Sequence, residues 1–339
     1  MPLNYRTRLE NLKARRYDPQ LQKAVLSESF SRVSIPEDLK YLAESMMPIE
    51  PEYNDKTITA ATNVKTHLER ELKLAFARDY RHQGSLMTRT NIKTHSDIDL
   101  LTLINGYAYI EGPVQSPYAG NPKTDINDLY SQSISILKRH YDEVDDTGSK
   151  SISIFNKNLK RKVDIVPCYW YNTNLYDSSG NELERGVYLY DFAKGERTKI
   201  DYPFLHIRNV NFKGDATIDG SRMAVRLLKT LKADSEGAIS LSSFELTTII
   251  HQMDNASLVY YAGSELNIAE NISAALKKLI EEPVYRAAIP SPNGKEKPLA
   301  SVAEIQLKRL KTDLDELIAD CRNELRNEYF EKAFKGYKL

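Results

Sequence analysis

Cysteine is nearly absent: Cys168 and Cys321 are the only two in 339 residues, and they lie far apart. That excludes a disulfide framework and a Cys/His zinc site, and it predicts a reducing, cytoplasmic setting. Net charge is absent as well, because 47 basic residues cancel 47 acidic ones. Such neutrality argues against a dedicated duplex-binding protein and against activation by nucleic acid, although it leaves room for a local basic groove. No apolar run approaches the length of a membrane span, and the opening Met1-Pro2-Leu3-Asn4-Tyr5-Arg6 lacks a signal-peptide core. We therefore expect no membrane association. Six histidines occur without ligand spacing, so His82 and His95 are poor metal ligands. There is no internal repeat and no low-complexity tract.

Apolar residues make up 41% and charged residues 28%, the balance of an ordinary folded protein. The length suits one large bilobed unit or two domains with ample core. Residues 1–82 read mostly as helix, with Val64, Leu68, Leu72 and Phe76 forming one face of a predicted helix over Thr57–Arg81. Residues 83–205 alternate in short runs and predict a mixed sheet, interrupted by a helix over Asp125–Tyr141. Residues 215–335 read as helical, with a loop at Pro283, Pro290 and Pro292 and a long amphipathic stretch over Leu299–Ala333. The stripe Val302, Ile305, Leu307, Leu310, Leu314, Leu317 and Ile318 predicts core packing.

Chemistry concentrates in two segments. The first runs Gln83-Gly84-Ser85 to Asp97-Ile98-Asp99-Leu100, and the second is Arg161-Lys162-Val163-Asp164-Ile165-Val166-Pro167. Alternate side chains of a strand share a face, so Asp97 and Asp99 would project together while Ile98 and Leu100 enter the core. Neighbouring carboxylates repel, and burying them unpaired costs several kcal/mol. A hard divalent cation, Mg²⁺ or Mn²⁺, removes that cost, and a third carboxylate at Asp164 on an adjacent strand would let two ions sit together. Gly84 would let the backbone approach phosphates, a helix starting after it would aim N–H groups at them, and Ser85 would add a hydroxyl donor. Together these features predict metal-dependent nucleotidyl transfer.

Gly84-Ser85, Asp97-Ile98-Asp99 and the distal Asp164 resemble the polymerase-β-type nucleotidyltransferase superfamily. Within it, the chain is most similar to the bacterial cGAS/DncV-like nucleotidyltransferases. Thr90, Asp164-Ile165-Val166-Pro167, Arg222-Met223-Ala224-Val225-Arg226-Leu227-Leu228-Lys229 and Ser242-Ser243-Phe244-Glu245-Leu246 support the narrower likeness, which runs from about residue 60 to about residue 320. It implies an α+β, bilobed nucleotidyltransferase fold: residues 1–210 as amino-terminal helices and catalytic core, and residues 211–339 as a helical, oligoadenylate-synthase-like lobe. Without a Cys/His cluster, the zinc ribbon of the animal DNA-sensing enzyme is excluded.

The resemblance further implies a monomeric cytoplasmic synthase that joins ATP, GTP or pyrimidine triphosphates into a cyclic di- or trinucleotide and releases pyrophosphate. In bacteria that product would activate a separate effector protein in anti-phage (CBASS) signalling. Asp97, Asp99 and Asp164 would hold two Mg²⁺ or Mn²⁺ ions, with Asp164 as general base or as the group that orients the nucleophile. Lys229 would contact the triphosphate, with Arg222 or Arg226 as substitutes. Tyr260 or Tyr261 would stack on the base, with Ser243 and Glu245 near it. Tyr169, Trp170 and Tyr171 are further stacking candidates from their place after the third acid. The alternatives are an RNA-extending enzyme of the superfamily or transfer to a protein or small-molecule hydroxyl. The first needs an RNA surface, for which Lys157, Lys160, Arg161 and Lys162 are the candidates.

Overall fold

A computed structural model describes residues 3–16, 35–93, 98–112 and 118–335, with side chains as far as residue 327. It divides into two compact units, residues 49–209 and residues 1–48 with 210–339. Residues 1–48 thus group with the carboxy-terminal helices, whereas the expected division ran at residue 210.

The unit of residues 49–209 opens with α3 (Pro51–Glu71), which follows α1 (Tyr5–Arg16) and α2 (Glu37–Met46) of the other unit. Pro51 starts α3 at the position where a missing N–H costs nothing. The expected helix over Thr57–Arg81 therefore begins earlier and ends ten residues sooner, and Arg78–Gln83 forms β1 instead. The remaining elements are β2 (Ile98–Ile110), α4 (Pro122–His140), β3 (Glu143–Asp145), β4 (Ile152–Asn156), β5 (Arg161–Asn172), α5 (Asn174–Ser179), β6 (Gly186–Asp191) and β7 (Glu196–Asp201).

They build a seven-stranded sheet in the order β1-β2-β5-β4-β3, with β6 also on β5 and β7 on β6. β2 and β5 run parallel. One edge of β5 is shared, since residues 161–165 pair with β4 and residues 168–171 with β6. Pro167 falls in the gap between these partners, a place where a strand tolerates a residue without an N–H.

Alternation along β2 and β5 sorts their side chains onto two faces. Ile98, Leu100, Ile104, Val163 and Ile165 pack under α3 and α4 with Val64, Leu68, Leu129 and Leu137. Leu101, Leu103, Val166, Cys168 and Trp170 form a separate cluster on the opposite face. Both faces are apolar, which explains the near-continuous hydrophobic runs of these two strands.

The second unit is helical. It takes in α1 and α2, the end of α6 (Pro203–Ala216), α7 (Gly220–Asp234), α8 (Ser243–His251), α9 (Glu265–Glu281), α10 (Pro283–Ala288) and α11 (Glu304–Lys335). α7 is its axis: from Gly220 to Leu231 every residue is buried. Leu227, Leu228 and Leu231 meet Tyr41 and Leu42 of α2, Leu246 of α8 and Leu310 and Leu314 of α11 in one core. Of the predicted α11 stripe, Ile305 is the exception, at 51% exposed.

Candidate active site

The central feature is a register. Asp99 on β2 stands directly opposite Asp164 on the parallel strand β5, and Gln83, the last residue of β1, stands opposite Asp99 from the other side. Alternation places both acids on the face of Leu101, Leu103, Val166 and Cys168, away from α3 and α4. Both are half-buried. Asp97 lies outside the described residues.

Asp164 is held from two directions. Ser153, its partner across β4, donates a hydroxyl to Oδ1, and the Lys162 ammonium donates to Oδ2 at 3.1 Å. Lys162 is two residues away on the same strand, so it shares the face of the acid and offsets part of its charge. Two carboxylates on one face of adjacent strands are hard oxygen ligands suited to Mg²⁺ or Mn²⁺.

Gly84 follows β1 with φ at 108°, a conformation that favours glycine. Residues 85–89 form a turn and not the helix expected there. Met87 N–H donates to the Gly84 carbonyl, Thr90 N–H donates to the Ser85 carbonyl at 2.9 Å, and the Thr88 hydroxyl donates to the same carbonyl. Asn91 then bonds Asn54 of α3 at 2.9 Å, anchoring the turn to the helix behind the sheet. Ser85 is half-buried and sits two positions beyond the residue paired with Asp99.

The other expected residues fall in the helical unit. Lys229 is buried on α7, and burial, reinforced by Arg226 and Lys232, lowers its pKa to about 8. Arg222 and Arg226 are committed to packing. Arg222 bonds Asp215 at 2.8 Å and Asp219 at 3.1 Å, and Arg226 bonds Asp219 at 2.7 Å and the Met46 carbonyl at 2.6 Å. Ser243 is exposed in the first turn of α8, whereas Glu245 closes a capping box with Ser242. The Tyr260 hydroxyl donates to Glu265 at 3.0 Å, and Tyr261 is 61% exposed.

Members of the basic cluster are engaged within this unit. Arg161 is fully buried and donates to Thr57 and to the Lys160 carbonyl, while Lys157 pairs with Asp142 and Glu143. Tyr169, Trp170 and Tyr171 are all buried, which leaves them as wall and core residues.

Sequence reading missed one further cluster. His67 and Glu71 of α3 and His140 of α4 bring possible ligand atoms within 4.8 Å of one another. Arg70 and Arg139 already neutralise Glu71, at 2.7 and 2.8 Å, so a cation would have to displace both. The i, i+4 spacing of His67 and Glu71 was the available signal; the third member depended on how α3 and α4 pack. Among the described residues no helix is long and apolar enough to cross a membrane.

No family model matches the chain. A cyclic dinucleotide synthase CdnE of Yersinia aleksiciae is 31% identical over 86% of this chain and 85% of its own. A c-di-GMP synthase of a Lachnospiraceae bacterium (strain RUG226) is 31% identical over 76% of this chain and 81% of its own. Among solved structures, the STING-associated CdnE c-di-GMP synthase from Capnocytophaga granulosa is 27% identical with a TM-score of 0.82, covering 95% of this chain and 100% of that one.

Proposed function

This chain belongs to the CdnE cyclic dinucleotide synthases, and from that premise we propose that it joins two GTP molecules into cyclic di-GMP with release of pyrophosphate. The choice of guanine rests on the Lachnospiraceae and Capnocytophaga relatives, both c-di-GMP synthases. We further assign the product to a separate STING-type effector in bacterial anti-phage signalling, because the Capnocytophaga protein is STING-associated. The observation that carries the catalytic reading is Asp99 in register with Asp164 beside the Gly84 turn.

When bound, two Mg²⁺ or Mn²⁺ ions held by Asp97, Asp99 and Asp164 would supply charge neutralisation for the triphosphate and acidify the attacking ribose hydroxyl. Asp164, fixed by Ser153 and Lys162, orients that hydroxyl and takes its proton. Gly84 keeps the turn open to close approach by phosphate oxygens, and Ser85 adds a hydroxyl donor. On their chemistry, Lys229 is the proposed triphosphate cation, with Ser243, Tyr260 and Tyr261 as base contacts.

The test is incubation with all four ribonucleoside triphosphates and Mg²⁺ or Mn²⁺, then phosphatase treatment and mass spectrometry, beside an Asp97→Ala/Asp99→Ala variant. We expect a phosphatase-resistant product with the mass of cyclic di-GMP that is missing from the variant. A cyclic product containing another base would overturn the guanine assignment. Extension of added RNA in place of any cyclic product would overturn the reaction class.

A further inference from the structure

The unit of residues 49–209 carries a second concave site. A cavity of about 470 Å³ is lined by Tyr109, Lys123, Tyr169, Tyr188, Tyr190 and Arg197, with Gly195 and Glu196 among its other walls. That volume falls in the range of small-molecule sites. Tyr169 alternates with Val163 and Ile165 and packs with Tyr190 in the core under α3 and α4. The cavity therefore opens on the sheet face opposite Asp99 and Asp164. Along β5, Tyr169 is five positions beyond Asp164, roughly 17 Å at strand rise. It is not part of the carboxylate site.

The Tyr169 hydroxyl donates to the Pro122 carbonyl at 2.7 Å, but the polar groups of Tyr190, Lys123 and Arg197 are unspent among the described residues. The Tyr190 hydroxyl is buried and has no hydrogen-bond partner, although the residue is only 3% exposed. A buried hydroxyl without a partner is costly, and its place in a cavity wall points to an acceptor or donor that a ligand supplies. A Cβ placed on Gly195 would lie 3.9 Å from this hydroxyl and 3.6 Å from the Lys123 ammonium, so both atoms converge on the open space beside that glycine. The Lys123 ammonium makes no hydrogen bond or ion pair among the described residues.

Arg197 supplies the planar element. Its guanidinium lies 3.9 Å from the Tyr109 ring centroid and 4.9 Å from that of Tyr188. Stacking holds the plane in place while its N–H donors make no ion pair among the described residues. Aromatic faces and a stacked guanidinium suit a flat heteroaromatic ring, as in single-strand nucleotide recognition. Two cations against one rim carboxylate, Glu196, suit a phosphate.

We propose that this tyrosine-walled cavity is a second binding site, for a purine nucleotide, with the base against Tyr109, Tyr188 and Arg197 and the phosphate between Lys123 and Arg197. A mononucleotide and a cyclic dinucleotide share this chemistry, so the occupant is either a substrate-type nucleotide or the product itself.

Calorimetric titration of the full chain in EDTA, with GMP and with cyclic di-GMP, tests the site without metal at the carboxylates. We expect saturable binding of at least one probe, weakened about tenfold by Arg197→Ala and reduced by Lys123→Ala and by Tyr190→Phe, which keeps the ring. The Asp164→Asn variant should bind as the parent does. Tighter binding of GMP identifies the mononucleotide as occupant, and tighter binding of cyclic di-GMP identifies the product. No saturable binding, or binding lost in Asp164→Asn and retained in Arg197→Ala, overturns the proposal. Because the readout is binding without turnover, either result leaves the catalytic assignment to its own assay.

Discussion

The two units treat charge in opposite ways. On the sheet, Asp99 and Asp164 are half-buried side by side on one face, and the described partners of Asp164 are a hydroxyl and one lysine. On α7, Arg222 and Arg226 are buried to 2% and 0% exposure, and they are matched by Asp215, Asp219 and backbone carbonyls. The first arrangement concentrates charge of one sign on one half-buried strand face. The second neutralises charge internally and contributes to the fold. On the proposed function the same side-chain chemistry works in one place and builds in the other, and substitution should separate the roles.

The sharpest separation is expected at Asp164. Asp164→Asn keeps the shape and one acceptor, and we expect synthesis to fall on the order of 1,000-fold or more, because several kcal/mol of charge stabilisation disappear. Folding should barely respond, since asparagine keeps the acceptor for the Ser153 hydroxyl and removes a carboxylate that stands opposite Asp99. Initial-rate assays beside thermal melts check this, and a melting point lowered by more than about 5 °C would give Asp164 a structural role as well.

Asp219→Asn should show the reverse. Asparagine tolerates the left-handed backbone of residue 219, where φ is 67°, but leaves two buried guanidinium groups without their shared carboxylate. A loss of about 3 kcal/mol is expected, measured by urea unfolding. An unchanged midpoint would mean that Asp215 and the carbonyls suffice.

Lys229 tests the comparison most finely, because it is a buried cation on the building helix that is also assigned to work. Its pKa is lowered to about 8 by burial first and then by Arg226 and Lys232. Above that pH the folded chain holds it neutral, while the unfolded chain keeps the proton up to about 10.4. The unfolded state then binds more protons, so stability should rise with pH between roughly 8 and 10, by on the order of 2 kcal/mol. Lys229→Met should lack that rise and be more stable near neutral pH. Parallel midpoints for the two proteins across this window would show that the lysine is not paying a desolvation cost.

How much of this was legible in the sequence depended on whether local pattern and tertiary contact agreed. The runs Ile98–Ile104 and Val163–Val166 announced buried strands, and the structure sets Asp99 opposite Asp164 on them. Helices were legible wherever one face was apolar, as for Leu129, Ile136 and Leu137 of α4. The carboxyl end of α3 was not. Val64, Leu68, Leu72 and Phe76 continue the helical period, but the helix stops at Glu71 and Leu72 turns extended. β1 then forms from Arg78–Gln83, which has no apolar alternation, because β2 offers an edge to pair with. Phe76 packs at Gly106, where a side chain would crowd it at 3.1 Å. The tyrosine cavity also escaped notice. Tyr188 and Tyr190 share a strand face, but only the pairing of β6 with β5 and β7 brings Tyr169 and Arg197 to them.

Gly214 and Arg222 illustrate what such fitted charges imply for descent with modification. A Cβ at position 214 would overlap the Arg222 guanidinium. A long side chain can usually swing away, but this one is fastened to Asn211, Asp215 and Asp219. An alanine at 214 should therefore be harmful beside arginine and tolerated beside a shorter residue at 222. The two positions behave as one heritable character, and a lineage can cross from one state to the other only by an ordered pair of steps.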